Sequence, residues 1–166
     1  MSAPSERGLP RARAALVVGT TKYPPHQVGL FRTFSISTPS KEFADHSAVA
    51  RDMLEAAMAA IRPGVTSADV DRATVEVARK AGMAVGVTKR TGYSVGLNFP
   101  PDWGEGVFLD LKTNDPTVLK AGMAFHLPQA VRVGGGTPTT ISETVLVTET
   151  GVEVLTKFKP RELVEV

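Results

Sequence analysis

An amphipathic segment at residues 42–61 constrains the fold of this chain more than any other feature. Its apolar residues recur mostly at spacings of three and four, which places them on one face of an α-helix. They are Phe43, Val49, Met53, Leu54, Ala57 and Ile61. The Arg62-Pro63-Gly64 sequence that follows predicts the end of this helix. Such a helix must bury its apolar face against another element.

A second helix is predicted over residues 68–81, with Thr66 or Ser67 as its N-cap and Gly82 just past its end. Segments typical of β-strands flank the two helices, and a proline-containing turn joins the first two of them. They are residues 14–19, 28–37, 107–112, 140–148 and 152–158. This order predicts an α+β domain with both helices on one face of a largely antiparallel sheet.

The composition is that of one soluble globular domain, with residues 1–14 as a disordered lead-in and residues 15–166 as the folded part. No apolar run approaches the roughly 18 residues of a membrane span. A net charge of +2 with scattered Lys and Arg disfavours nucleic-acid binding. The absence of cysteine excludes disulfides, thiolate metal sites and a cysteine nucleophile, and it suits a reducing cytoplasm.

The stretch RTGYSVGLNFPPDWGE, residues 90–105, combines a glycine-rich turn, two prolines, a tryptophan and two acids. The prolines fix extended backbone, so Asp102, Trp103 and Glu105 are predicted to lie on a stiff loop. An aromatic wall beside acids is typical of a binding site. Asp102 and Glu105 can divide the nucleophile and general-base roles, or they can cap the turn and face solvent.

Three further residues are candidates for the same site. Tyr93 either hydrogen-bonds a substrate or packs with its hydroxyl on the backbone. His126 has apolar neighbours, so it is either a core histidine with satisfied partners or a substrate-contacting one. A serine nucleophile at Ser94 would need the fold to bring His126 to it, and we disfavour that reading. Alternation places Glu143 on an apolar face, where a carboxylate is costly unless it is paired or lies on an edge strand.

Five blocks of sequence occur in the order LFRTFSIS, AAIRPGVTSADVDRA, RTGYSVGL, LKAGMAFHLP and ISETVLVTETGVEVLT. Together they resemble the M24 family of creatinases and Xaa-Pro aminopeptidases, which have the pita-bread fold. The resemblance covers nearly everything after the lead-in. It implies a curved, mainly antiparallel sheet with two long helices.

The peptidases of that family bind two metal ions through two Asp, one His and two Glu. The resemblance places these ligands at Val18, Gly29, Tyr93, Pro128 and Ser142, the last beside Glu143. None of the five is an ordinary ligand for a dinuclear hydrolytic site. His26, His46 and His126 show no metal-binding spacing either. We therefore predict no metal, no other cofactor and no metal-dependent peptide hydrolysis.

The variant motifs GYSVG, PPDWGE, FHLP and SETVLVTE resemble the ectoine hydrolase branch of the family. That branch implies metal-independent opening of a small cyclic amidine through a covalent carboxylate intermediate, with Glu105 as the nucleophile. The other implied residues are Asp102 and Glu143 as base or ring-nitrogen partners, Trp103 as a stacking platform, and Tyr93 and His126 as orienting groups.

The resemblance to that branch leads us to expect an N-terminal domain and a long helix before the first hairpin to be missing, and the VRVGGGTPTT segment is short. A sheet without a covering helix is expected to pack against another surface. Besides a small-molecule substrate, we therefore predict a homodimer or a separate N-terminal domain as partner. Two alternatives remain open: a metallopeptidase, and an inactive pita-bread module used in protein association.

Overall fold

The computed structural model describes residues 14–23, 26–83, 90–96, 109–132 and 138–166. These ranges contain β1 (Ala14–Tyr23), β2 (His26–Ser35), α1 (Lys41–Ala60), α2 (Ser67–Lys80), β3 (Gly92–Ser94), β4 (Asp110–Leu111), β5 (Ala124–Val131), β6 (Thr139–Val147), β7 (Val152–Val154) and β8 (Val164–Glu165). The α+β prediction is confirmed. The predicted lead-in lies outside the described residues, apart from Ala14. Among the described helices, none is both long and apolar enough to cross a membrane.

Five strands form one antiparallel sheet in the order β4-β3-β5-β6-β7. β1 and β2 form a separate antiparallel hairpin, and β8 pairs with β2 in parallel. Helix α1 contacts β5 and β6, while α2 contacts α1 and β4. The two helices therefore cover one face of the five-stranded sheet.

The core lies between α1 and alternate residues of β5 and β6. Phe125, Leu127 and Val145 are fully buried, and they cluster with Leu54 and Ala57 of α1. The two helix residues belong to the apolar face predicted from the sequence, which is thereby confirmed. Because side chains alternate along a strand, the residues between the core positions point to the opposite face of the sheet.

Helix α2 begins in a capping box, in which the N-cap side chain and the third helical residue bond each other's backbone. The Thr66 hydroxyl accepts from the Asp69 N–H at 3.2 Å, and the Asp69 carboxylate accepts from the Thr66 N–H at 3.0 Å. Ser67, the alternative N-cap, instead donates its hydroxyl to the Asp110 carbonyl at 2.8 Å. This bond ties the start of α2 to β4.

Two strands are shorter than the sequence predicts. Within the described residues, the strand expected at 107–112 consists of β4 alone. The strand expected at 152–158 is reduced to β7, although the Leu155 N–H just beyond it still donates to the Thr144 carbonyl of β6 at 2.9 Å. The Thr156 hydroxyl donates to the Glu143 carboxylate, and the Phe158 carbonyl accepts from the Arg32 guanidinium.

The capping box gives the first testable prediction. Thr66→Ala removes the hydroxyl that accepts from Asp69, so the free energy of unfolding should fall by about 1 kcal/mol. Thr66→Ser keeps the hydroxyl and should stay within a few tenths of a kcal/mol of the wild type, as measured by urea denaturation. Equal stability of the alanine and serine variants would contradict the role of the cap.

Candidate functional site

A histidine is buried on the sheet face that points away from the helices. His126 on β5 is 2% exposed. Its Nδ1 lies 2.6 Å from the Tyr93 hydroxyl on β3, and its Nε2 lies 2.6 Å from Ser142 Oγ on β6. Because β3, β5 and β6 are neighbours in the sheet, strand pairing itself holds these three side chains together.

A glycine on β2 makes room for this imidazole. A Cβ atom built on Gly29 would lie 2.8 Å from Cε1 of His126, closer than two carbon atoms pack. Phe31, two residues further along β2, meets the imidazole edge-on at 4.9 Å between ring centroids. The Tyr93 ring also meets it edge-on, at 5.1 Å. The imidazole therefore packs against both the hairpin and β3.

A row of hydroxyl groups joins β2 to β6 around the histidine. The Gly29 N–H donates to Thr144 Oγ1 at 3.1 Å, and the Phe31 N–H donates to Ser142 Oγ at 2.7 Å. Thr33 Oγ1 donates to the Thr140 carbonyl at 2.9 Å. The contacts advance by two residues along each strand in opposite directions, so they follow an antiparallel register. We call these contacts the hydroxyl row.

Hydrogen bonds join the three side chains of the site in one chain. Ser142 Oγ accepts from the Phe31 N–H and also bonds Nε2 of His126. Nδ1 of His126 bonds the Tyr93 hydroxyl. The imidazole therefore connects Ser142 on β6 with Tyr93 on β3.

His126 is neutral at physiological pH. Burial, and to a smaller extent the positive charge of Arg90, lower its pKa from 6.5 to about 4. Arg90 lies over the Tyr93 ring, with its guanidinium carbon 4.4 Å from the ring centroid. Thus the site combines an uncharged hydrogen-bond chain with a fixed cation beside its tyrosine.

Glu143 lies on the helix-facing side of β6 and is 1% exposed. Its carboxylate accepts from Arg32 Nη2 at 2.6 Å, from Arg161 Nε at 2.9 Å and from the Thr156 hydroxyl. Arg32 also donates to the carbonyls of Phe158 and Pro160. Pairing with two arginines compensates the burial of this carboxylate. Its neighbour on β6, Ser142, points to the opposite face, toward His126.

The structure brings together some of the residues predicted for the site. Tyr93 and His126 are hydrogen-bonded, although the sequence separates them by 33 residues. Both imidazole nitrogens bond residues other than Ser94, so the disfavoured pairing of His126 with a Ser94 nucleophile is wrong. The predicted loop residues Asp102, Trp103 and Glu105 lie outside the described residues, and their roles stay predictions.

Sequence reasoning missed the part that Ser142 and Arg90 play. The sequence analysis considered Ser142 only as the position of a lost metal ligand, and it considered Arg90 only as the first residue of a motif. Alternating hydroxyls at Thr140, Ser142 and Thr144 were the available signal for the hydroxyl row. Alternation indicates a shared face, but it does not identify the strand that lies against it.

The positions that would hold two metal ions do not fit that role. Four of them, Gly29, Tyr93, Pro128 and Ser142, lie on β2, β3, β5 and β6. Glycine, proline and the Val18 of β1 offer no side-chain ligand, and the Tyr93 and Ser142 hydroxyls bond His126. Among the residues that the structure describes, no group of three or more His, Cys, Asp or Glu is arranged to hold a metal.

Comparison with known proteins agrees with this fold. The sequence model described as metallopeptidase family M24 matches residues 20–149. The ectoine hydrolase of Halomonas elongata is 33% identical over 141 residues, covering 85% of this chain and 34% of the relative. The agropine synthesis cyclase of Rhizobium rhizogenes is 40% identical over 110 residues, covering 66% of this chain and 26% of the relative. The chain thus spans about a third or less of the length of these relatives.

A solved structure extends the comparison to three dimensions. The dipeptidase PepE from Mycobacterium ulcerans superposes with a TM-score of 0.82 at 31% identity, covering 98% of this chain and 42% of that one. The pita-bread fold expected from the sequence is therefore confirmed.

The buried histidine predicts how stability changes with pH. Its folded pKa of about 4 lies below its ordinary value of 6.5, so the unfolded chain binds the proton first as the pH falls. The stabilisation that comes from keeping His126 neutral is fully present above pH 6.5. It is lost progressively as the pH falls to 4, which lowers the free energy of unfolding by roughly 3 kcal/mol. Urea denaturation at each pH should show this loss in the wild type and a much flatter dependence in His126→Asn.

The Asp69 carboxylate titrates in a lower pH window than His126. Hydrogen bonds from Thr66 lower the pKa of Asp69 from 3.8 to about 2, so its contribution is lost only as the pH falls through that range. A wild-type slope between pH 6.5 and 4 that survives unchanged in His126→Asn would contradict the assignment to His126.

The paired glutamate gives a separate prediction. Glu143→Gln leaves two arginines facing a neutral amide in a buried site, and the free energy of unfolding should fall by about 3 kcal/mol or more. Glu55→Gln removes the other, half-exposed partner of Arg161 and should cost less than about 1 kcal/mol. Similar losses in the two variants would show that the Glu143 cluster is not the stronger one.

Proposed function

This chain belongs to metallopeptidase family M24, and we propose that within it the chain acts as a hydrolase that opens a small cyclic amidine or amide without a metal. Ectoine is the substrate we take as the first example, because the ectoine hydrolase of Halomonas elongata is among the relatives. On this proposal Glu105 is the nucleophile. Tyr93 and His126 orient the ring, and Trp103 stacks on it.

The observation that supports a metal-free reaction is the donor set at the former ligand positions. A dinuclear site needs several anionic or imidazole ligands that converge on each ion. Here the described part of the site is a neutral chain from Ser142 to Tyr93, and the one imidazole uses both nitrogens for hydrogen bonds. Its pKa of about 4 keeps that chain uncharged at neutral pH.

The names of two relatives support ring chemistry on small molecules. One is a hydrolase of ectoine and the other a cyclase of agropine synthesis. Ring opening and ring closure pass through the same kind of intermediate, a tetrahedral carbon that a heteroatom is leaving or joining. A site that stabilises this geometry serves either direction, and water favours opening.

The proposed reaction proceeds in two steps that balance. First, the Glu105 carboxylate forms a C–O bond to the amidine carbon of the protonated ring, and the C=N electron pair moves to a ring nitrogen. One ring C–N bond then breaks as the other nitrogen re-forms a C=N bond and passes its proton to the departing nitrogen, which leaves Glu105 bonded to an open-chain imidate carbon. Water, deprotonated by Asp102, adds to that carbon, and the proton on Asp102 passes to the imidate nitrogen. The Glu105–carbon bond then breaks as the C=O bond forms, and the hydroxyl proton goes to the free amine. The products are an open-chain amide and an ammonium group.

Within this scheme the described residues position the ring. The Tyr93 hydroxyl bonds one nitrogen of His126, and Ser142 bonds the other, so the three strands fix the position of the tyrosine beside the substrate ring. We assign Glu143 a supporting role, since its two arginine partners hold β6 and β2 together on the opposite face.

A second subunit or an N-terminal domain is the partner we propose for this chain. Among the described strands, β1 pairs with β2 alone and so leaves one of its edges unpaired. Unpaired edges of ten-residue strands invite pairing with another chain. Such a partner would also supply walls to a pocket for a small ligand.

The experiment that tests the proposal uses purified protein with ectoine. Mass spectrometry of the wild type should reveal a covalent adduct, and NMR should show the open-chain amide. Glu105→Gln should lose both signals, whereas Glu149→Gln, which changes an exposed turn residue, should keep both. The rate should not change with EDTA or with added Mn²⁺.

Two results would contradict the proposal. One is activity that EDTA abolishes and metal restores, which would favour a metallopeptidase. The other is the absence of both product and adduct with two compounds. These are ectoine and 2-methyl-1,4,5,6-tetrahydropyrimidine, which is the ectoine ring without its carboxylate.

A further inference from the structure

Arg90 is held rigidly at the edge of the site by two contacts. Its Nη1 donates to Asp110 Oδ1 at 2.8 Å, and its guanidinium lies over the Tyr93 ring at 4.4 Å from the centroid. Asp110 is on β4 and Tyr93 on β3, which are paired strands, with Tyr93 directly opposite Asp110. The sheet therefore fixes both supports, and the guanidinium is pre-organised.

Most of the donors of this guanidinium are unused. Nη1 is the one nitrogen of Arg90 with a hydrogen-bond partner in the described part of the chain, so Nε and Nη2 remain available. The Arg90 side chain is 35% exposed, so a solute can reach it. Two neighbouring N–H groups in one plane form the fork that binds a carboxylate through both oxygens.

The local charge also favours an anion. Lys112 Nζ lies 3.8 Å from the second oxygen of Asp110, so one carboxylate is shared between two cations. The Arg90, Asp110 and Lys112 cluster carries a net positive charge. The charge of Arg90 also reaches His126, whose pKa it lowers in addition to the larger effect of burial.

We propose that Arg90 binds a carboxylate of the substrate, and that the site prefers small cyclic amidines or amides that carry a carboxylate next to the ring. The identity of the ring rests on the function proposed above, whereas the binding of a carboxylate to Arg90 does not. In this arrangement Tyr93 is shared. Its ring supports the cation that holds the carboxylate, and its hydroxyl bonds the imidazole of His126.

A direct test follows the Arg90 Nε–H resonance of ¹⁵N-labelled wild-type protein, assigned by its loss in Arg90→Lys. Acetate should shift this resonance in a saturable way, and acetamide, a neutral molecule of the same shape, should not. Absence of a saturable shift with acetate, or equal shifts with acetate and acetamide, would overturn the proposal.

A second test compares ectoine with 2-methyl-1,4,5,6-tetrahydropyrimidine, the same ring without the carboxylate. Wild-type protein should bind ectoine more tightly in calorimetry, and Arg90→Gln should reduce the ratio of the two affinities about tenfold or more. Arg79→Gln removes a paired arginine from α2 and should preserve the ratio. Asp110→Asn removes the carboxylate that bonds Nη1 and keeps the Arg90 guanidinium, so it should preserve or raise the affinity ratio.

The outcomes separate this proposal from the proposed function. A ratio that Arg90→Gln leaves unchanged while ectoine is still hydrolysed would overturn the role of Arg90 and leave the hydrolase intact. A specific shift with acetate in a protein that hydrolyses neither compound would support carboxylate binding and overturn the hydrolase.

Discussion

The structure depends most on the contact between β2 and β6, in which side-chain hydroxyls replace a backbone ladder. Ser142 is its central residue, since one oxygen accepts from the Phe31 backbone and bonds the His126 imidazole. The hairpin, the sheet and the buried histidine are therefore joined at a single atom. Gly29 permits the close approach that this geometry needs. The family resemblance implies carboxylate metal ligands at the positions of Gly29 and Ser142 in the peptidases. Here neutral hydrogen bonds connect the same strands.

Local sequence rules predicted the helices well because their causes are local. The three- and four-residue spacing in α1 and the capping box at Thr66 each involve residues within one turn. The same rules placed β6 correctly but could not find the partners of Glu143. Arg32 and Arg161 lie 111 and 18 residues away in sequence, and only the fold brings both to one carboxylate.

The candidate site was predictable in part, through the family resemblance rather than through spacing. Matching motifs placed Gly29, Tyr93 and Ser142 in one site, and the structure brings all three to His126. The orientation of the imidazole could not be predicted, because it follows from the donors on three strands. The placement of Arg90 could not be predicted either, because it rests on the Tyr93 ring and the Asp110 carboxylate, which lie on two paired strands.

The arginine on β2 has a consequence for how the chain is made. Arg32 bonds Glu143 and the carbonyls of Phe158 and Pro160, and β2 pairs with β8 at Phe34 and Val164. On a ribosome, β2 emerges more than a hundred residues before any of these partners. The β1–β2 hairpin therefore lacks these contacts during most of synthesis. Contacts between residues so far apart in sequence form late and slow folding. A nascent chain stalled before residue 156 should therefore expose its hairpin to proteases and chaperones.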